Sequence, residues 1–213
     1  MKTIIALFLC VNIAAAQQAY EIPFASKGNT IELSVANSST QVTEEVKVEV
    51  TNAPAWLKFI EKSVNIALLK SKEELSASFN FSVEKTAEVN KKQTLNFTIT
   101  DKTGQKWTKE ITIIIAPPTN YELFQNYPNP FNPTTTIDYQ LPGVGTRLNV
   151  SLKVYDMLGR EVALLLNEMQ EPGYYQKTFD ARGFASGMYI YRLIATDEQN
   201  NHHAFQKKLM VLK

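Results

Sequence analysis

Apolar and polar residues alternate with a period of two along most of this chain. Val46, Val48 and Val50 alternate with Lys47 and Glu49. Leu75, Ala77, Phe79, Phe81 and Val83 alternate with serines and Asn80, and Leu95, Phe97 and Ile99 with Asn96 and Thr98. Ile111, Ile113 and Ile115 close the series. Successive strand side chains point to opposite faces, so each run predicts a strand with one buried and one wet face. Further strands are predicted at 30–36 and around 56–60, and a single helical turn at 85–90. Turn signals separate the runs at Lys27-Gly28-Asn29, Asn52-Ala53-Pro54 and Asp101-Lys102-Thr103-Gly104. The last of these predicts a hairpin loop with Gly104 in the left-handed region. About seven short strands without a sustained helix predict an antiparallel, Ig-like sandwich over residues 20–117.

The pattern restarts after Pro117-Pro118-Thr119-Asn120, a stiff stretch of polyproline geometry that predicts a linker at 118–120. Strands are predicted at 135–141, 148–155, 161–166, 174–179, 188–195 and 204–212. In the run at 188–195 the more apolar face is Tyr189, Tyr191 and Leu193, the expected buried set. Gly159 is the expected left-handed residue of a hairpin at 156–159, and turns are predicted at 142–145, 171–173 and 197–201. Residues 121–213 thus predict a second antiparallel sandwich. The fold class is all-β, with two tandem Ig-like sandwiches.

Between the two lies LFQNYPNPFNPTTTIDYQLP, residues 123–142. Tyr127, Asn129 and Asn132 each precede a proline and are pushed out of the α region. Pro128, Pro130 and Pro133 fix their own φ and donate no backbone hydrogen bond. The stretch is therefore extended and stiff. Leu123, Phe124, Tyr127 and Phe131 are too apolar for a free linker. They predict a strap pinned by its large side chains onto the second sandwich.

The first residues, MKTIIALFLCVNIAAAQQA, carry a positive Lys2, an apolar run from Ile4 to Ile13 and an Ala14-Ala15-Ala16 cleavage pattern. They predict a secretory signal peptide at 1–16, cleaved after Ala16. The run is shorter than the ~18–20 residues that span a bilayer, and no other run is long enough, so no transmembrane segment is expected in the mature chain. Cys10 is the only cysteine, and it falls inside the leader. The mature protein then has neither a disulfide nor thiol chemistry.

The strap resembles the opening of the type A C-terminal sorting domain of the type IX, or Por, secretion system of Bacteroidota. VSLKVYDMLGREV (150–162), EPGYYQKTFDARGFASGMYIYRL (171–193) and FQKKLMVLK (205–213) resemble the same family in the same order. The resemblance covers about residues 121–213. It implies an Ig-like export address read at the outer membrane by the type IX translocon, and a surface sortase as a second partner. It further implies sorting-signal candidates at Tyr127, Pro128, Asn129, Pro130 and Phe131 in the strap, and at Gly187 and Tyr189. Others follow in the tail, at Lys207, Lys208, Leu212 and Lys213. The family is similar in turn to the Ig-like domain of flagellar hook-capping proteins. The first sandwich more weakly resembles Ig-like modules that precede this sorting domain.

Charge and chemistry narrow the picture. Twenty-two basic and 21 acidic residues nearly cancel, so no strong field attracts nucleic acid or an anionic membrane. His202 and His203 are the only histidines, and neighbours in a strand face opposite ways, which does not suit one metal. Asp156, Asp180, Asp197 and Glu198 stand at turns, where Asp and its neighbours cap backbone groups. No phosphate loop, HExxH or assembled nucleophile is present. Trp56 and Trp107, the only tryptophans, are expected in the core of the first sandwich rather than as an exposed sugar platform.

The sequence therefore predicts an exported, non-enzymatic protein without cofactor or metal. It would cross the inner membrane by the Sec translocon and reach the cell surface or the medium through the periplasm. Its first sandwich would serve binding, adhesion or spacing toward an unknown surface ligand. The alternatives are a hook-capping-like scaffold, against which the leader argues, and a small secreted carbohydrate-binding or enzymatic module.

Overall fold

The computed structural model describes residues 3–6 (backbone only), 19–143 and 147–213. Among them the chain is all-β and falls into two units, Met1–Ala116 and Pro117–Lys213. The cleavage position Ala16 and positions 144 and 145 of the 142–145 turn lie outside the described residues.

The first unit has nine strands. They are β1 (Thr3–Ala6), β2 (Tyr20–Ile22), β3 (Asn29–Ala36), β4 (Thr43–Asn52) and β5 (Leu57–Phe59), followed by β6 (Ser63–Leu69), β7 (Glu74–Val83), β8 (Lys92–Thr100) and β9 (Lys106–Ile115). One sheet has the order β1-β3-β7-β5 and the other β2-β9-β8-β4-β6. Pairing is antiparallel except for β1 with β3 and β2 with β9. Alternation does what period-2 patterning demands. Ile31, Leu33, Ala77, Phe79 and Phe81 from one sheet share a single core with Val48, Leu95, Phe97, Ile111 and Ile113 from the other. The Phe79 and Phe97 rings meet across the layers with centroids 5.2 Å apart.

One expectation needs correction here, and one strand was not predicted. No helical turn forms at 85–90. Ala87 N–H closes a turn onto Glu84 O, and Val89 bridges Ile115, because Val89 reaches the edge of β9 before a helix can start. β6 was not legible as a strand. It is a sheet edge, and Leu68-Leu69 breaks the alternation that Val64 and Ile66 begin.

The second unit comprises β10 (Glu122–Leu123), β11 (Thr134–Leu141), β12 (Leu148–Tyr155), β13 (Glu161–Gln170), β14 (Gly173–Asp180), β15 (Gly187–Thr196) and β16 (His202–Val211). Its sheets have the orders β10-β11-β14 and β13-β12-β15-β16, all antiparallel. Ile137, Tyr139, Leu141 and Phe179 from the smaller sheet pack with Val150, Leu152, Tyr191 and Leu193 from the larger. Tyr191 and Leu193 are buried and Tyr189 half-buried, the face predicted for β15. Pro118 O accepts from Gly143 N–H, and Gln140 Nε2 donates to Asn120 O, so residues 118–120 are tied into this unit.

Candidate functional site

The strap is organised by Asn126. Its residue is 2% exposed, and every polar atom of its side chain is used. Nδ2 donates to Pro128 O (3.1 Å) and to Thr135 Oγ1 (2.9 Å), while Oδ1 accepts from Gln125 Nε2 (2.7 Å). Its backbone N–H donates to the Tyr191 hydroxyl (2.9 Å), which donates in turn to Phe124 O (2.7 Å). Thr135 Oγ1 closes the ring onto Pro128 O (2.8 Å). Buried polar groups must be paired, and here a strap that cannot use its proline nitrogens is paired by side chains instead. Burial pushes the Tyr191 hydroxyl up to about 12, although the Asn126 N–H works against that shift.

From this anchor the strap runs along the outer edge of β16. Phe131 N–H donates to Met210 O (3.0 Å) and Leu212 N–H to Phe131 O (2.9 Å). Asn129 Oδ1 accepts from Met210 N–H (2.9 Å), and Gln125 Nε2 also reaches Lys208 O (2.8 Å). An edge strand presents unpaired backbone groups, and the strap covers this edge over its last turns of pleat. Leu123 and Phe131 are buried and Phe124 is half-buried, as expected of pins. Tyr127 is not a pin, and that expectation is corrected. Its backbone pairs with Thr136, so alternation turns Asn126 inward and the Tyr127 ring outward, 83% exposed. Tyr127-Pro128, Asn129-Pro130 and Asn132-Pro133 are cis peptides.

The residues that the resemblance singled out therefore gather at one end of this unit. Gly187 stands opposite Val211 in the β15–β16 register, and Tyr189 opposite Leu209. Gly187 has φ 151°, a conformation that side chains disfavour. The Tyr189 hydroxyl donates to Ala185 O (3.1 Å). Lys208, Leu212 and Lys213 are exposed, and Lys207 is half-buried. Met188 faces Met210 across the same two strands, and both are exposed beside Leu212. A cavity of about 320 Å³ adjoins them, lined by Pro133, Ala181, Arg182, Val211, Leu212 and Lys213. Arg182 is held by Asp180 at 2.6 Å, which keeps the carboxyl below the usual carboxylate range. The result is an apolar patch with a basic rim. Sequence reasoning singles out Asn126 only as one of three asparagines, with Asn129 and Asn132, able to close Asx-turns, and it missed Thr135 and Gln125, because nothing local marks one asparagine among several as buried.

The three aspartates among the predicted turn carboxylates cap as expected. Asp156 Oδ1 accepts from Leu158 and Arg160 N–H, Asp180 Oδ1 from Arg182 N–H, and Asp197 Oδ1 from Asn201 N–H. His203 stacks on Tyr121 with centroids 4.2 Å apart, and His202 Nδ1 lies 2.9 Å from Thr196 Oγ1. Among the described residues no group of three or more His, Cys, Asp or Glu could hold a metal ion. No helix there is long and apolar enough to cross a membrane.

In the first unit Trp56 packs against the core, as expected. Trp107 does not, and this is the second correction among the aromatic residues. It has the inward parity of Ile111, Ile113 and Ile115, yet it is 41% exposed. Strand β3 of the other sheet ends at Ala36, and the indole is left only partly covered. The sandwich opens there into a cavity of about 240 Å³, with Val35, Leu69 and Ile99 as apolar wall and Asp101, Gln105 and Trp107 among its rim. A signal was present in the sequence. Lys109 interrupts the apolar alternation between Trp107 and Ile111, so the buried face ends before the tryptophan.

Residues 125–211 match the family described as the secretion system C-terminal sorting domain. No curated protein matches the chain. Among solved structures, dimeric latent PorU from Porphyromonas gingivalis is 15% identical over 94% of this chain, with a TM-score of 0.37, and the chain spans 19% of its length. The calcium binding domain CBD12 of CALX1.1 is 8% identical, covers 82% of this chain and 76% of its own, and scores 0.37. CopC from Methylosinus trichosporium OB3b is 15% identical, covers 43% of this chain and 93% of its own, and scores 0.28. At these scores the three likenesses bear on neither fold nor function.

Proposed function

We propose, from the type IX sorting-domain family to which residues 125–211 belong, that the protein is a non-enzymatic module exported to the cell surface or medium. In this reading residues 1–16 direct passage through the Sec translocon and are cleaved after Ala16. The second unit is then the address read by the type IX translocon and by a surface sortase. The first unit is the cargo, with a binding, adhesion or spacing role.

The observation that carries the reading is the lacing of the strap to the last strand. Gln125, Asn129 and Phe131 hold the family's opening motif against Lys208–Leu212. Motif and tail thereby form one surface, although Asn129 and Met210 lie 81 positions apart in the chain. Its exposed Met188, Met210 and Leu212 with Lys208 and Lys213 suit a partner surface that is apolar with acidic margins.

The test is mass spectrometry of the protein from washed cells and culture medium of a host with a type IX system. The expected product starts at Gln17 and is found outside the cell, either intact or ending near residue 120. A Lys208→Glu, Lys213→Glu chain is expected to accumulate in the periplasm. An unmodified chain that stayed in the periplasm would overturn the export reading.

A further inference from the structure

We propose that the open end of the first sandwich is a glycan-binding cleft that seats one neutral pyranose ring on Trp107. This rests on the first unit being the working cargo of an exported protein. Four observations carry it. The indole is the one large aromatic side chain on the rim of the cavity, and it is 41% exposed although it faces inward. A pyranose presents a flat face of C–H bonds that stacks on an aromatic π face, while its hydroxyls stay free for hydrogen bonds. The wall behind it, Val35, Leu69 and Ile99, is the last buried layer of the core and is therefore rigid and dry. An apolar pocket with a few convergent polar groups is the usual form of a small-molecule site, and 240 Å³ lies just below the ~300–1,000 Å³ range of such sites, which suits one sugar ring rather than a larger ligand.

The polar groups have the right complement. The Gln105 side-chain amide and the Trp107 indole N–H belong to residues that line the cavity. Asp101 receives Thr103 N–H, Thr103 Oγ1 and Gln105 N–H all on Oδ1, leaving Oδ2 outside these bonds. The Thr103 hydroxyl foremost, with the backbone N–H groups, holds the Asp101 carboxyl below the usual carboxylate range, so it is an acceptor at neutral pH. Amide, indole N–H and carboxylate together match the donors and acceptors of vicinal hydroxyls. The same carboxylate disfavours an acidic sugar, which is why the ligand is neutral.

The rim is also fixed in advance. Asn37 is buried, its Nδ2 donates to Gln41 O (2.7 Å) and Leu69 O (3.1 Å), and its Oδ1 accepts from Ser39 N–H and Ser39 Oγ. On the other side the β8–β9 hairpin is tied by Asp101. Little ordering is then required on binding.

The test is native affinity electrophoresis of the full chain in gels cast with a mixed-linkage β-glucan, a galactomannan or a xylan, with polygalacturonate for comparison. Retardation by at least one neutral polysaccharide is expected, with none by polygalacturonate. Trp107→Ala should weaken it about tenfold or more, with an unchanged melting temperature, and Trp56→Phe should leave it intact. If Trp107→Ala does not fold, Gln105→Ala should weaken retardation, and in the Trp56→Phe chain the emission of Trp107 should shift on titration with the retarding polysaccharide. No retardation by any neutral polysaccharide, or retardation untouched by loss of Trp107 or Gln105, overturns the proposal. These outcomes separate from those for export. A purified chain that binds but is retained in the periplasm sinks only the export reading, and an exported chain that does not bind sinks only this one.

Discussion

In the second unit, the sandwich end nearest the last strand is stitched over by Gln125, Asn126 and Asn129, with the Tyr191 hydroxyl reaching up from the core to meet them. In the first unit, the end that carries Trp107 is left open above Val35 and Ile99. The two cores differ in the same way. The first is filled by aliphatic residues and phenylalanine, whereas the second buries Tyr139 and Tyr191, each with its hydroxyl paired. A core of the first kind, whose large buried side chains carry no polar group, is held mainly by area and can end wherever a strand ends. A core of the second kind is held by area plus a network in which every member needs the others. The difference separates an element that must present one fixed surface from one that leaves a concavity available.

Asn126→Ala is the hardest test of that contrast. It removes three side-chain bonds and leaves Pro128 O and Thr135 with fewer partners in a buried site, so a loss of about 3 kcal/mol is expected in the second unit. Both tryptophans lie in the first unit. Denaturant unfolding followed by tryptophan emission should therefore not move, while the far-ultraviolet transition of the second unit shifts down. Equal shifts in both signals would erase the distinction.

Tyr191→Phe should cost less, about 1–2 kcal/mol, since it deletes one hydroxyl that bridges Phe124 O and Asn126 N–H. Because it shares bonds with Asn126, the double variant should lose less than the sum of the two single losses. Additivity in a double-mutant cycle would mean that the network is not one unit.

Alkaline pH offers a third comparison. Burial raises Tyr139 and Tyr191 to about 12, and Tyr174, Tyr175 and Tyr121 are raised as well, all in the second unit. A raised folded value means that the neutral hydroxyl is the form the fold favours. The stability it supplies is complete below the ordinary tyrosine value of 10.0 and is lost as pH rises through the folded values. Between pH 10 and 12 the second unit should lose melting temperature faster than the first, as read by tyrosinate absorbance against tryptophan emission.

The smallest effect is at acid pH, and it should not separate the units. Asp101 in the first and Asp156, Asp180 and Asp197 in the second are all held below the ordinary value of 3.8 by hydrogen bonds at exposed turns. A depressed carboxyl contributes stability above its unfolded value, and this is lost as pH falls through the folded one. Both transitions should soften together below about pH 4. A decline confined to one unit would point to a carboxylate cluster beyond these turns.

Much of this was legible residue by residue. The strands at 46–50, 75–83, 95–99, 148–155 and 188–195 follow from period 2 alone, because a strand that buries one face has no freedom in which residues it buries. The left-handed hairpin glycines Gly104 (φ 83°) and Gly159 (φ 80°) follow from turn chemistry. β6 and the absent turn at 85–90 were not legible, since an edge strand and a bridge residue take their state from the neighbour they meet.

By itself the sequence determined the all-β class, the buried face of most strands, the stiffness of the strap and its resemblance to the sorting domain. Each of these depends on residue types and on spacing along the chain. Only the tertiary structure decided which of several asparagines is buried, that Tyr127 faces solvent, that motif and tail share one surface, and that Trp107 stands at an open mouth. Those facts depend on what lies across the sandwich from each residue. A partner tens of residues away sets burial and hydrogen bonding, and local pattern does not carry that information.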